Sequence, residues 1–341
     1  MTKTRLAFSL FVLLAGLGLA LKHAYFFGPM DLGMDFRVFQ RAANWPLDQL
    51  YGDRSWLPFV YPPPAIPLFR LFGMLPAGFL IWSVVSVLAF CATVGAVSGK
   101  RVPILALCSP AAIGGLILGQ VPMILAAAMF GGLKLKPFLG GMLWGVAAII
   151  KPQLVTLAPL ALVVRKEWAM LGGMVAGASA ASMVSVIIFG PGLWLEWLAA
   201  LDHHLEELAL SGAAIRAITP TGRAALVGLP ILPFLLAGMA IATTAVIVAA
   251  RKVEGELLIG LIVAASIVAS PYAHAHDTIA LIPACVVLLL RKPWWAAVPA
   301  AMVFVGTPGL TMIGMMTGLA GAAHWAVRSH HDERELQQAA G

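Results

Sequence analysis

Charge is what this sequence has least of. Of its 341 residues, 15 are Asp or Glu and 22 are Lys or Arg, 11% in all, while 61% are hydrophobic. Mean hydropathy is +0.93. Apolar runs recur along the whole length, which excludes a water-soluble globule and reads as a polytopic membrane protein. The runs are continuous and do not alternate, which excludes an outer-membrane β-barrel. A basic domain is also lacking. The net charge of +7 is scattered as short pairs between apolar runs, so nucleic acid is excluded as a partner. Only three cysteines occur, Cys91, Cys108 and Cys285. All lie inside apolar runs without CxxC spacing and read as small core residues, neither disulfides nor ligands.

What is present is a regular series of apolar segments. A hydrocarbon core of roughly 30 Å needs about 20 helical residues to cross, and several runs are shorter, so some spans must be short, tilted or re-entrant. The expected spans are 6–27, 77–98, 102–118, 121–133, 137–150, 153–164, 168–189, 229–250, 257–272, 277–290, 294–306 and 309–327. The fold class is thus an all-α polytopic integral membrane protein with about 10–12 transmembrane helices. It is expected to be one domain over 1–327, followed by a short polar cytoplasmic tail at 328–341. The start carries Lys3 and Arg5 before an apolar core. No good small-x-small cleavage site follows before Lys22, so an uncleaved first helix is predicted.

The basic residues set the orientation. Lys3/Arg5, Lys100/Arg101, Lys134/Lys136, Arg165/Lys166, Arg251/Lys252, Arg291/Lys292 and the Arg328/Arg334 tail can all be threaded to one face, the cytoplasmic one. "GTPG" (306–309) then makes the last external turn. Nearly everything polar but not simply basic falls on the other face: "GMDFRVFQRAANW" (33–45), "GQVP" (119–122), "KPQ" (151–153), the long loop 190–228 and "SPYAHAHD" (270–277). Chemistry is expected there.

Within the loop 28–62, Phe36, Phe39 and Ala43 recur at helical spacing while Arg37, Gln40, Arg41 and Asn44 point elsewhere. This predicts a short amphipathic helix in the interface, with Asp35 at its N-cap. "YPPPAIP" after it favours a stiff, extended entry into the membrane. In the loop 190–228, Trp194 and Trp197 fit an aromatic belt. Glu196, Asp202, Arg216 and Arg223 share that loop. His203 and His204 point about 100° apart on a helix, a poor chelating pair, and read as solvated surface. His274 and Asp277 are three apart and share a helical face at a span end, where ionisable groups are usually functional. A purely structural His–Asp pair is the alternative. A metal held by His274, His276 and Asp277 is a further one, though the spacing matches no strong signature. Lys151 stands against the positive-inside trend; it either snorkels or neutralises a phosphate. Gln120 and Gln153 lie at similar depth.

In order, "DFRVFQRAANW", "LYGDRSWLPFVYPPPAIPLF", "LGQVPMILAAA", "GVAAIIKPQLVTLAPLAL" and "SPYAHAHDTIAL" resemble the polyprenol-phosphate-dependent glycosyltransferases of the C superfamily. More narrowly, the chain is similar over about residues 30–290 to glycosyltransferase family 87, also known as DUF2029. The resemblance implies a multi-spanning α-helical enzyme with an outward-facing site; the plain prokaryotic look of the chain, with a short tail and no targeting motif, points to a bacterial plasma membrane. It implies transfer of a hexose, mannose foremost, from a polyprenyl-phosphate-linked donor to a glycolipid or glycan acceptor of the envelope, with inversion. Asp35 takes the place of the early-loop catalytic carboxylate and acts as general base. His274 and Asp277 match the late motif, where His276 is an extra histidine, so either imidazole can be the functional one. Lys151 matches the lysine assigned here to phosphate. Arg37, Gln120, Gln153 and Tyr61 complete the candidate donor and substrate contacts, with Arg216 and Arg223 as further cations. One base suffices, because polyprenyl phosphate leaves without an acid, and the scheme demands no metal or other cofactor. The rival reading is a polytopic transporter or lipid flippase; against it, no repeat between halves is visible. A scaffold in an envelope-assembly complex is a third.

Overall fold

Proline and small polar caps cut the apolar runs into helices. Ser109 accepts the amide of Ala112, and Pro110 follows at the first helical position; Thr219 and Pro220 repeat the arrangement, with Gly222 as donor. Both are helix starts in which the cap satisfies an orphan donor and proline occupies a place that needs none.

The computed structural model describes residues 3–27, 32–52, 58–210, 217–291 and 294–339, without side-chain placement at 23–27, 202–210 and 330–339. Its helices are α1 (Lys3–Phe27), α2 (Phe36–Asn44), α3 (Leu47–Leu50), α4 (Ile66–Gly73), α5 (Gly78–Ser98), α6 (Arg101–Leu107), α7 (Pro110–Leu118), α8 (Pro122–Gly132) and α9 (Pro137–Ile150). They continue as α10 (Ala158–Arg165), α11 (Trp168–Phe189), α12 (Gly192–Leu210), α13 (Pro220–Leu226), α14 (Ile231–Ala249), α15 (Gly255–Val268), α16 (Ile282–Arg291), α17 (Trp294–Val305) and α18 (Pro308–Ala339). Short 3-10 turns occupy Pro63–Ala65, Pro152–Leu154 and Ala275–Ala280. No strand occurs among the described residues; one isolated antiparallel bridge joins Ala217 to His274.

The all-α polytopic architecture stands. Five helices are long and apolar enough to cross a bilayer alone: Lys3–Lys22 of α1, α5, α11, α14 and Pro308–Ser329 of α18. Other expected crossings are shorter apolar helices, including α8, α9, α15, α16 and α17. Several predicted segments differ. The run 102–118 is two helices bent by 69°, because Ser109–Pro110 restarts the helix. The run 153–164 opens as a 3-10 turn and becomes helix only at Ala158. The loop 190–228 contains two helices, α12 and α13. Helix α18 runs without a break through residue 328. "YPPPAIP" is extended only at Pro62 before turning into 3-10 structure.

Helix α15 is the axis. Every residue from Leu258 to Val268 is buried, which matches a sequence apolar all round. At its first end the Ser98 hydroxyl donates to Glu256 at 3.3 Å. There Arg165 also donates to the carbonyls of Ala250 and Val253, both at 2.7 Å, and Arg251 to that of Val164 at 2.6 Å. Fourteen residues later, about 21 Å along the axis, the chain reaches "SPYAHAHD". Arg5 joins the first end by donating to the carbonyls of Leu288 and Leu289 near the end of α16. The basic turns and the late polar motif therefore lie at opposite ends of the bundle.

Candidate active site

The early loop is fastened to the α7–α8 turn by its backbone. The amides of Gly33 and Asp35 donate to the carbonyls of Ile117 and Leu118 at 2.7 and 3.0 Å. Gly119 closes that turn with φ +79°, and a Cβ there would stand 2.7 Å from Phe36 Cβ. Only glycine serves where left-handed backbone meets a neighbour this close. Asp35 sits at the N-cap position of α2 as predicted, but its side chain makes no cap bond. It turns across to accept a hydrogen bond from Gln120 Nε2.

Helix α2 is amphipathic as expected, and its apolar face packs on protein. Phe36, Val38, Phe39 and Ala42 are buried in protein, with Ala42 rather than Ala43 completing the inner face. Phe39 stacks on Phe69 of α4 with centroids 3.9 Å apart and meets Trp82 edge-on at 5.1 Å. Phe69 in turn takes Tyr61 edge-on at 4.7 Å. Arg70 donates to the carbonyls of Ala42 and Trp45 at 2.7 and 3.3 Å and holds the end of α2. The segment carrying Tyr61 is pinned through its carbonyls, Tyr61 O by the Tyr51 hydroxyl at 2.7 Å and Val60 O by Trp197 Nε1 at 3.0 Å. Trp194 likewise donates to Ser185 at 3.0 Å. The Tyr61 hydroxyl lies 3.5 Å from Gln120 Oε1.

The second half of the site is an ion pair. Helix α9 ends at Lys151, whose backbone leaves the helical region. Lys151 does not snorkel: it is 7% exposed, and its Nζ stands 2.5 Å from Asp277 Oδ1. Asp277 Oδ2 accepts the His274 backbone amide at 2.9 Å, while the His274 side chain accepts the amide of Asp277. The expected His–Asp partnership thus exists as a reciprocal capping box on a 3-10 turn rather than a shared helical face. Burial raises the Asp277 carboxyl, but the Lys151 ammonium and the His274 amide outweigh it and hold it down to about 2. Burial pushes the His276 imidazole down to about 3, so it is neutral. Its ring is 5.6 Å from that of His274. The turn rests on α7, where a Cβ at Gly115 would be 2.7 Å from Ile279 Cδ1.

Tyr61 stands between the halves. Its phenol is raised well above the usual range by burial and then by the carboxylates of Asp35 and Asp277 and by Tyr272, so it keeps its proton. The predicted residues Asp35, Gln120, Tyr61, Lys151, His274 and Asp277 therefore come together at one end of the bundle. Arg37 is exposed on α2. Gln153 is half-buried beside Lys151 and makes no hydrogen bond among the described residues. Arg223 lies beside Gly309. Arg216 and the side chains of Asp202, His203 and His204 lie outside the described residues.

His274, His276 and Asp277 offer ligand atoms within 4.8 Å of one another. Two of the three are engaged, Asp277 by Lys151 and by the His274 amide, and His274 by the Asp277 amide. An ion would have to displace Lys151. Two residues outside the sequence reading contribute: Arg70, signalled only as a charge inside "LFRLF", and Tyr272, whose ring is 6.0 Å from His274. A cavity of ≈ 520 Å³ lined by Lys252, Glu254 and Trp295 lies at the other end, and no site residue lines it. An apolar groove of ≈ 380 Å³, lined by Leu32, Val84, Leu88, Leu116 and Ile117 among others, runs up to the loop of Asp35.

A family model, glycosyltransferase family 87, matches residues 59–271. The matched stretch holds Tyr61, Gln120, Lys151 and Gln153. It is narrower than the span of resembling motifs, starting after Asp35 and ending before His274. No curated protein and no solved structure matches the chain.

Proposed function

The chain belongs to glycosyltransferase family 87, and from that premise we propose that it moves a hexose, mannose in the first instance, from a polyprenyl-phosphate-linked donor to a hydroxyl of an envelope glycolipid or glycan. The reaction takes place on the outer face of a bacterial plasma membrane. Transport and scaffolding give no reason for Asp35, Gln120 and Tyr61 to meet a buried lysine–aspartate pair flanked by two histidines at one end of the bundle, and this convergence carries the reading.

In the proposed reaction the acceptor hydroxyl attacks the anomeric carbon from the face opposite the phosphate. Its proton passes to Asp35. The bond from the anomeric carbon to the phosphate oxygen breaks, and polyprenyl phosphate departs with the electron pair. A general base contributes about 10²–10⁴ in rate. One base suffices, unlike the carboxylate pair of a glycosidase. Lys151 has three N–H donors; Asp277 takes one, and the others can meet the phosphate, whose charge cations stabilise. His274, fixed by the capping box, faces the same region, with Arg37 and Gln153 at its margin. The groove beside Leu32 and Ile117 gives an isoprenoid chain a path to the site.

Transfer from radiolabelled polyprenyl-phosphate-mannose, in membranes expressing this chain, tests the reading beside Asp35→Asn. The expected outcome is a labelled product with the wild type and a loss of at least about 10²-fold in the variant at equal expression. Near-normal transfer by Asp35→Asn removes the base; failure with mannose, glucose and arabinose donors alike returns the transporter reading.

A further inference from the structure

Gln120 has the geometry of a residue that works through Asp35 rather than on substrate. A carboxylate only accepts, so the Gln120 atom turned to Asp35 must be the amide nitrogen. That leaves Oε1 to face Tyr61, whose hydroxyl donates to it at 3.5 Å. A flipped amide would set oxygen against the carboxylate on one side and N–H against an O–H on the other. The two neighbours therefore select one orientation between them. Each end of the chain is immobilised separately. Tyr61 is wedged against Phe69 and pinned through its carbonyl. Asp35 is held by its amide on Leu118, two residues before Gln120.

We propose that Tyr61 and Gln120 form a directional relay, Tyr61 O–H to Gln120 to Asp35, that positions the Asp35 carboxylate and keeps it ionised for the incoming hydroxyl; both are positioning residues, not sugar-binding ones. The inference rests on Asp35 being the base. Hydrogen bonds to a carboxylate favour its charged form, and a buried relay stands or falls as a unit. The phenol retains its proton, as the donor role requires.

Two readouts test this. The first needs no turnover: infrared titration of the purified chain, with Asp35→Asn subtracted to isolate the Asp35 carboxylate band. Gln120→Leu is expected to move that band's titration to higher pH. Tyr61→Phe is expected to move it the same way by less, and the double variant no further than Gln120→Leu, since a broken relay cannot be broken twice. The second is transfer from polyprenyl-phosphate-mannose at varied donor and pH. Gln120→Leu should lower kcat by about 10²-fold, the scale of a misplaced group, with the donor KM unchanged. Gln120→Glu, which sets a second carboxylate against the first, should carry the acid limb of the profile to higher pH. An unmoved Asp35 band, with a raised KM alone, overturns the relay and returns Gln120 to sugar binding. Full transfer by Asp35→Asn overturns the base assignment instead, and the infrared shift still reports whether the relay exists.

Discussion

Lys151 and Asp277 show how context fixes the worth of a residue. Their side chains are 9% and 1% exposed, so water screens neither. Removing one partner of a buried pair strands the other and costs about 3–5 kcal/mol, whereas replacing both with neutral groups is often harmless. Lys151→Met is therefore expected to lower thermal stability in detergent by that amount. Lys151→Met with Asp277→Asn should recover most of it, because the Asn carbonyl can still accept the His274 amide. Neither variant should transfer sugar, since both lack the ammonium. A stable single variant would mean the pair is solvated. At this scale the sequence named Lys151, Asp277 and Asp35 by their chemistry. It did not reveal that Lys151 is locked to Asp277 or that Asp35 declines its cap, because both depend on partners over 80 residues away.

Among the elements, α9 and α11 show how glycine permits close packing in a membrane, where small residues let backbones touch. Gly141 and Gly145 face α11, and Gly173 and Gly177 face α9. A Cβ on Gly173 would fall 1.9 Å from the carbonyl oxygen of Phe138, while one on Gly172 would meet nothing within 4 Å. Backbone cannot yield as a side chain does. Gly173→Leu is expected to abolish monodisperse protein on size-exclusion chromatography, and Gly172→Leu to leave it unchanged; equal behaviour would refute the packing. The spacing Gly-x-x-x-Gly stood in the sequence in both helices, so this contact was legible to anyone seeking it. The break between α6 and α7 was equally legible in Ser109–Pro110. The aromatic bolt of Phe39, Phe69 and Tyr61 was not, because nothing in a helical period says which helix receives a buried face.

Over the whole molecule, polarity is divided between two ends. Arg5, Arg165 and Arg251 each cap carbonyls near helix C-termini at one end, where a cation meets the negative pole of the helix. They thus act structurally, whichever side of the membrane this end faces. The candidate site occupies the other end. With Cys91, Cys108 and Cys285 replaced, a membrane-impermeant maleimide should label Asn44→Cys on intact spheroplasts and Lys100→Cys only after permeabilisation. Labelling of both from one side would contradict the outward-facing site, and reversed labelling would turn it inward.

The amino-acid sequence alone determined the all-α membrane class, the family resemblance and the separation of basic turns from polar motifs. These follow from composition and order, which no folding is needed to read. The tertiary structure decided which polar residues meet. Asp35, Tyr61, Gln120, Lys151 and Asp277 span 243 positions (277 minus 35, plus one) and converge because α15 and the α7–α8 turn carry them to one end. A buried polar atom must find its partner wherever the packing brings one, and that partner is fixed by the assembled bundle, not by the neighbouring residues in the chain.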